Sequence, residues 1–326
     1  MSYPLLFYPI LKERVWGGDA LAKRYGKAAP AGVRVGESWE ITDRPEGTSV
    51  VANGPWLGKT LPEIIAMDPA GLLGTLQLRS GRFPWLMKIL DARENLSLQV
   101  HPPMWQALRL GGEPKTEIWH VAHAEPEARF FAGLKQGVGR EEFVEALRHG
   151  EVQRCFHEIP VSRGDTLFVP SGRVHALGAG IVMFEIQQNS DTTYRVFDWN
   201  RLGVDGKPRA LHVEESLACI DFGDYEPGLV VPQAVGISGM PAQRLLADPL
   251  FCVASADLPP RSEFTMKGFG GAVVVAVVEG SAKVTGNRLE VEAGPGAFCL
   301  IPAACREWRL QTERGARVLL VEPGQS

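Results

Sequence analysis

The run Gly164-Asp165-Thr166-Leu167-Phe168-Val169-Pro170-Ser171-Gly172-Arg173-Val174-His175 constrains this chain more than any other segment. A glycine turn opens a short apolar strand, a Pro-x-Gly turn closes it, and a histidine follows at a fixed offset. Such a strand suits a β-barrel whose end presents one imidazole to an enclosed pocket. Gly296 to Glu307 repeats the layout, with Ala304 in the glycine slot and Glu307 in the histidine slot. The echo predicts two related barrels, the second without metal ligands.

Composition agrees with short strands and tight turns. The 326 residues include 36 glycines and 24 prolines. Hydrophobic residues make up 45% and charged residues 22%, as in an ordinary soluble globular protein. A formal net charge of −4 argues against nucleic acid as a partner, because no basic excess exists to neutralise phosphates. The apolar start, Met1 to Trp16, is broken by Pro4 and Pro9 and has no basic leader, unlike a signal peptide. The apolar run Ala272 to Val278 falls far short of the ~20 residues that span a bilayer, so no membrane association is expected. The 5 cysteines are scattered and form no Cys-x-x-Cys, which points to a reducing, cytoplasmic setting.

Along the chain, Thr60, Pro62 and Glu63 read as a helix start over 59–76. A helix is expected over Gly139 to Gly150, where acids sit early, bases sit late and Phe143, Ala146 and Leu147 share a face. Another is expected over His212 to Ile220. Strands are expected at Phe83 to Leu90, Leu96 to His101, Ile118 to Ala122, Thr166 to Val169, Ile181 to Gln187 and Thr193 to Trp199. A hairpin from Val273 to Thr285 leads into the C-terminal echo. Gly223 to Gly239 reads as a connection. The expected organisation is a catalytic domain over 1–225 with helical insertions and a metal-free barrel over 240–326.

Gln99 and His101 alternate on one expected strand, so both side chains share a face about 7 Å apart. Glu117 opens a later strand and offers an anionic oxygen. With His175 these make two nitrogen and two oxygen ligands, leaving room for a water or substrate oxygen on a divalent ion. Zinc suits the set, and iron and manganese accept the same residue types. His120, His123, His149, His157 and His212 lack the strand frame of a ligand. A second constellation packs Glu185, Asp191 and Arg195 into one stretch. An arginine in an apolar-aromatic strand faces a cavity and binds an oxyanion or phosphate. Lys115, two residues before Glu117, adds a cation on the same face. Trp16, beside Gly17 and Gly18, can floor a sugar site or pack in the core.

Taken together, Gly164 to His175 resembles the second motif of the cupin superfamily. The stretches Val15 to Gly18, Gly36 to Glu40, Leu86 to Ala92, Leu96 to Pro102, Lys115 to Trp119 and Glu185 to Arg201 resemble the type I phosphomannose isomerase family in its short bacterial form. Residues 5–222 carry the likeness in order, and the C-terminal barrel carries it weakly. The resemblance implies a mainly β fold of tandem cupin-type barrels (jelly rolls) with a few helices. It also implies one zinc ion per chain held by Gln99, His101, Glu117 and His175. Arg195 would be essential, with Glu185, Asp191 and Lys115 lining the pocket. The implied reaction is interconversion of mannose 6-phosphate and fructose 6-phosphate through a cis-enediol, with the base open among Glu185, Asp191, Lys115 and metal-bound water. Pro114 before Lys115 and His120 at a common tyrosine position depart from the family pattern. An iron-dependent cupin dioxygenase and a non-catalytic sugar-phosphate binder are the competing expectations. A monomer or weak dimer is expected.

Overall fold

The computed structural model describes residues 2–30 and 32–324. It is mainly β, built from antiparallel sheets in two jelly-roll barrels. The first barrel has a six-stranded sheet in the order Ile10–Gly18, Val35–Ile41, Trp85–Ala92, Ile181–Gln188, Glu117–Ala124 and Thr166–Val169. Its second sheet has five strands: Tyr194–Phe197, Leu98–Val100, His175–Leu177, Arg129–Leu134 and Phe156–Pro160. The second barrel has a six-stranded sheet in the order Gln233–Ile237, Met240–Ala247, Phe251–Leu258, Ala316–Pro323, Val273–Gly280 and Phe298–Ile301. Ser262–Lys267, Glu307–Thr312, Ala282–Gly286 and Leu289–Ala293 form its four-stranded partner.

The two six-stranded sheets share one topology. In each, strands counted by order of appearance lie first, second, third, sixth, fourth, fifth. The echoing segments Thr166–Val169 and Phe298–Ile301 take the same edge position. The repeat seen in sequence is thus a repeat of whole sheets.

Strand alternation divides the core. On Glu117–Ala124, Trp119 and Val121 face the first barrel's interior, while Ile118 and Ala122 join an apolar cluster shared with the second barrel. That cluster brings Phe184 and Ile186 against Phe298, Leu300 and Val321, with the Phe184 and Phe298 rings stacked at 5.4 Å. Leu5 bridges to Leu300, and Gly74 to Gly271. Gly74 has φ 59°, and a Cβ there would collide with the Gly270 carbonyl oxygen, so this crossing needs glycine.

The helices follow their sequence signals, with informative exceptions. Thr60 and Glu63 form the expected capping box, but the helix Leu61–Met67 stops well short of residue 76. Pro69 drives Asp68 out of helical geometry, to φ −152° and ψ 70°, and Asp68 then caps a separate short helix, Pro69–Leu73. Arg140–Arg148 and Val213–Cys219 form as expected. The strand Gln233–Ile237 lies inside the stretch read as a connection, where it pairs with Met240–Ala247. The helices Ala20–Tyr25 and Met104–Leu110 and the strand Val35–Ile41 had no counterpart in the sequence reading. All five cysteines are free and buried. Among the described residues, no helix is long and apolar enough to cross a membrane.

Candidate metal centre

Register places the candidate ligands. In the five-stranded sheet Gln99 lies opposite His175 on one side and opposite Arg195 on the other. Three residues distant in sequence therefore stand side by side across three strands. Glu117 opens its strand in the facing sheet, opposite Gln187 and Val169. His101 sits just beyond the end of Leu98–Val100. On the same facing sheet Glu185 is in register with Lys88 and with Trp119.

His101, Glu117 and His175 converge. His101 Nε2 is 3.4 Å from Glu117 Oε2, and His175 Nε2 is 3.6 Å from Glu117 Oε1. One ligand atom from each lies within 4.8 Å of the others. The side chains are 1%, 1% and 0% exposed. The far ring nitrogens are pinned by carbonyls: His101 Nδ1 is 3.0 Å from Thr192 O, and His175 Nδ1 is 2.9 Å from Arg173 O. A carbonyl only accepts, so each Nδ1 carries the hydrogen and each Nε2 lone pair faces the centre. Trp119 Nε1 donates to Glu117 Oε1 at 2.9 Å, while among the described residues Glu117 Oε2 accepts no well-directed hydrogen bond. Gln99 Nε2 lies 3.3 Å from His175 Nε2, and Ser97 Oγ lies 3.2 Å from Gln99 Oε1. Turning the amide over brings its oxygen to the centre and keeps Ser97 bonded, because a hydroxyl both donates and accepts.

Protonation suits a cation. Burial, and then Lys115, pushes His101 down to about 3. Burial pushes His175 down to about 4 against the pull of Glu117. Burial works against charge on Glu117, but Lys115 and the two imidazoles outweigh it and hold the carboxylate well below its usual range. Two neutral imidazoles, a carboxylate and an amide fit a borderline divalent ion such as zinc. Lys115 Nζ stands 2.7 Å from Glu117 Oε2 and 3.1 Å from His101 Nε2.

Beside this centre opens a cavity of about 360 Å³. Gln99, Lys115, Glu185, Asp191, Arg195 and Trp16 all line it, whereas His101, Glu117 and His175 lie behind its wall. Trp16 is also buried against Leu90 and Trp119, so it serves cavity and core together. Glu185 is pushed above its usual range by burial, opposed by Lys88. Asp191 is exposed, 4.0 Å from Lys88 Nζ. His120 points away from the centre, toward the second barrel, with Nδ1 3.0 Å from Thr166 Oγ1.

The charged residues Lys88, Glu37, Arg14 and Arg209 line this cavity and escaped the sequence reading. Lys88 is buried in the middle of Trp85–Ala92, with Nζ 3.3 Å from Glu185 and 3.6 Å from Glu37. Glu37 accepts from Arg14 Nε and Trp39 Nε1, both at 2.7 Å. Burial opposes its charge, but Lys88 and Arg14 prevail and hold Glu37 at about 2. The signal was present: a lysine inside a strand that reads as apolar on both faces has no bland place to go.

Comparison with known proteins completes the description. The family model for the catalytic domain of type I phosphomannose isomerase matches residues 5–111. A mannose-6-phosphate isomerase of Streptococcus mutans is 34% identical over 310 residues, covering 95% of each chain. A mannose-6-phosphate isomerase of Bacillus subtilis is also 34% identical, over 94% of this chain and 96% of its own. The crystal structure of a Bacillus subtilis mannose 6-phosphate isomerase superposes with a TM-score of 0.88 at 30% identity, over 99% of this chain and 100% of the other. The apo form of the Salmonella typhimurium enzyme shares the fold, with a TM-score of 0.76 at 18% identity over 100% of each chain.

Proposed function

The chain belongs to the type I phosphomannose isomerase family, which makes it an aldose–ketose isomerase, and we propose that it interconverts mannose 6-phosphate and fructose 6-phosphate at a zinc centre. The observation that carries this reading is the convergence of His101, Glu117 and His175 behind a cavity lined by acids and cations. Gln99 completes the ligand set once its amide oxygen is turned inward. Held by these residues, a zinc ion would supply Lewis-acid polarisation of substrate oxygens.

The chain's own residues supply the rest. Isomerisation moves one proton between C2 and C1 and a second between the O2 and O1 oxygens, through a cis-enediol, so a group that both accepts and returns a proton is needed. We assign that role to Glu185. It is buried, its carboxyl is raised above its usual range, and among the described residues its Oε2 accepts no well-directed hydrogen bond. Lys88, 3.3 Å away, keeps the charged form accessible. Asp191, nearer solvent, assists sugar binding. Lys115 stabilises charge that develops on the substrate's oxygens, and Arg195 binds the anionic end of the substrate. Trp16 floors the sugar site. Five free, buried cysteines accord with a cytoplasmic enzyme.

An assay coupling fructose 6-phosphate formation to a dye, run beside metal analysis, tests the proposal. One zinc per chain and activity abolished by a chelator and restored by zinc are expected. Full turnover in verified metal-free protein, or oxygen uptake with bound iron, would reject it.

A further inference from the structure

The cavity is electrically two-ended. Its deep end holds Lys88 and Glu185, each with 4% of the side chain exposed, while Arg14 and Arg209 on the solvent side are 30% and 22% exposed. Arg195 lies with them, and its guanidinium is pulled below its ordinary value by burial and by the neighbouring Arg209, Arg201 and Arg14 charges, against Asp198. Clustered like charges in a partly buried wall repel one another, and an anion placed among them relieves that repulsion.

The hydrogen bonds leave room for such an anion. Arg14 gives Nε to Glu37 at 2.7 Å and Nη1 to the Glu13 carbonyl at 3.1 Å. Arg209 gives Nε and Nη2 to Asp198, at 2.7 and 2.5 Å. Among the described residues, Arg195 gives only Nη1, to the Ala210 carbonyl at 2.8 Å, and its buried Nε has no partner. Among the described residues, Arg14 Nη2, Arg209 Nη1 and Arg195 Nε and Nη2 donate to no side chain or carbonyl. Glu37 offsets Arg14, and Asp198 is shared by Arg201 and Arg209, whereas among the described residues no carboxylate forms an ion pair with Arg195.

We propose that Arg14 and Arg209 join Arg195 in a three-guanidinium clamp that binds the phosphate dianion and makes the enzyme selective for phosphorylated hexose. The proposal rests on the isomerase reading for its substrate but predicts phosphate binding independently of turnover.

The test uses zinc-loaded Arg14→Gln and Arg209→Gln, with Arg201→Gln as control. Arg201 shares Asp198 with Arg209, at 2.9 Å, yet does not line the cavity. The clamp predicts that each of the first two raises KM for mannose 6-phosphate about 10- to 100-fold with kcat within about threefold. Inorganic phosphate, measured by calorimetry and as a competitive inhibitor, should weaken by the same factor. Arg14→Lys should recover part of the loss, and Arg201→Gln should bind phosphate like the parent protein. Phosphate affinity unchanged in both cavity variants, an Arg201→Gln effect equal to that of Arg209→Gln, or a parent protein that binds no phosphate would overturn the proposal. Phosphate binding that depends on Arg14 and Arg209 in a protein that turns over no sugar would support the clamp while rejecting the isomerase reading.

Discussion

The two barrels repeat one sheet topology and fill it with opposite chemistry. In the first, the turn-bounded strand delivers His175 into a buried ionic centre, and Lys88, Glu117 and Glu185 are buried around it. In the second, the equivalent strand leads to Glu307, which is exposed, while its neighbour Trp308 turns inward to pack with Met266, Val284 and Leu310. The inward position on the last strand is Glu185 in one barrel and Leu320 in the other. Unpaired buried charges cost several kcal/mol each, so a polar interior persists only where every charge is paired or metal-bound. The second barrel's interior is apolar at positions where the first barrel's holds buried charge beside its own apolar cluster.

Breaking the first barrel's centre should have the largest effect. His175→Ala should drop zinc to near zero per chain and turnover by about 1,000-fold or more, read by metal analysis and the coupled assay. Glu307→His in the second barrel should leave the stoichiometry at one zinc, because that side chain faces solvent. A second zinc there would break the comparison.

Glu185→Gln should lower kcat about 100- to 10,000-fold with zinc retained, the range for loss of a general base. Asp191→Asn should cost less than about tenfold. The reverse ranking would move the proton-transfer role to Asp191. The matching change in the second barrel, Leu320→Ala, should lower unfolding stability by about 2–5 kcal/mol in urea titrations and leave kcat of the folded enzyme within about twofold.

The smallest effect concerns the seam between barrels. Burial first, then Arg317, with Asp257 opposing, pushes His120 from 6.5 down to about 4. The unfolded imidazole takes up a proton near pH 6.5 while the folded one waits until about 4, so His120 lowers stability progressively as pH falls across that window. His120→Phe should flatten the dependence of unfolding free energy on pH between those values by up to about one proton. An unchanged slope would show that His120 titrates normally.

Much of this was legible in the sequence because it lay in local signals. The Thr60 and Glu63 capping box, the Arg140–Arg148 helix and the paired Gly-to-Pro strands each follow from residues a few positions apart. The convergence of His101, Glu117 and His175 was also foreseeable, since the three ligand types come from separate strand segments and Gln99 and His101 alternate onto one face. Lys88, Glu37, Arg14 and Arg209 were not foreseen as site residues. Their placement depends on which strands become neighbours: Lys88 meets Glu185 only through the register of Ile181–Gln188, the sixth strand of its sheet to appear. The inward turn of Trp308 instead of Glu307 likewise depends on strand facing, which motif matching alone does not read.

The metal position itself gives the most direct test. In crystals of zinc-loaded protein, anomalous scattering at the zinc edge should give one peak per chain, about 2.0–2.3 Å from His101 Nε2, His175 Nε2 and an oxygen of Glu117, with Gln99 Oε1 as the fourth ligand. A peak at any other place, or fully active crystals with no peak between His101 and His175, would contradict the account.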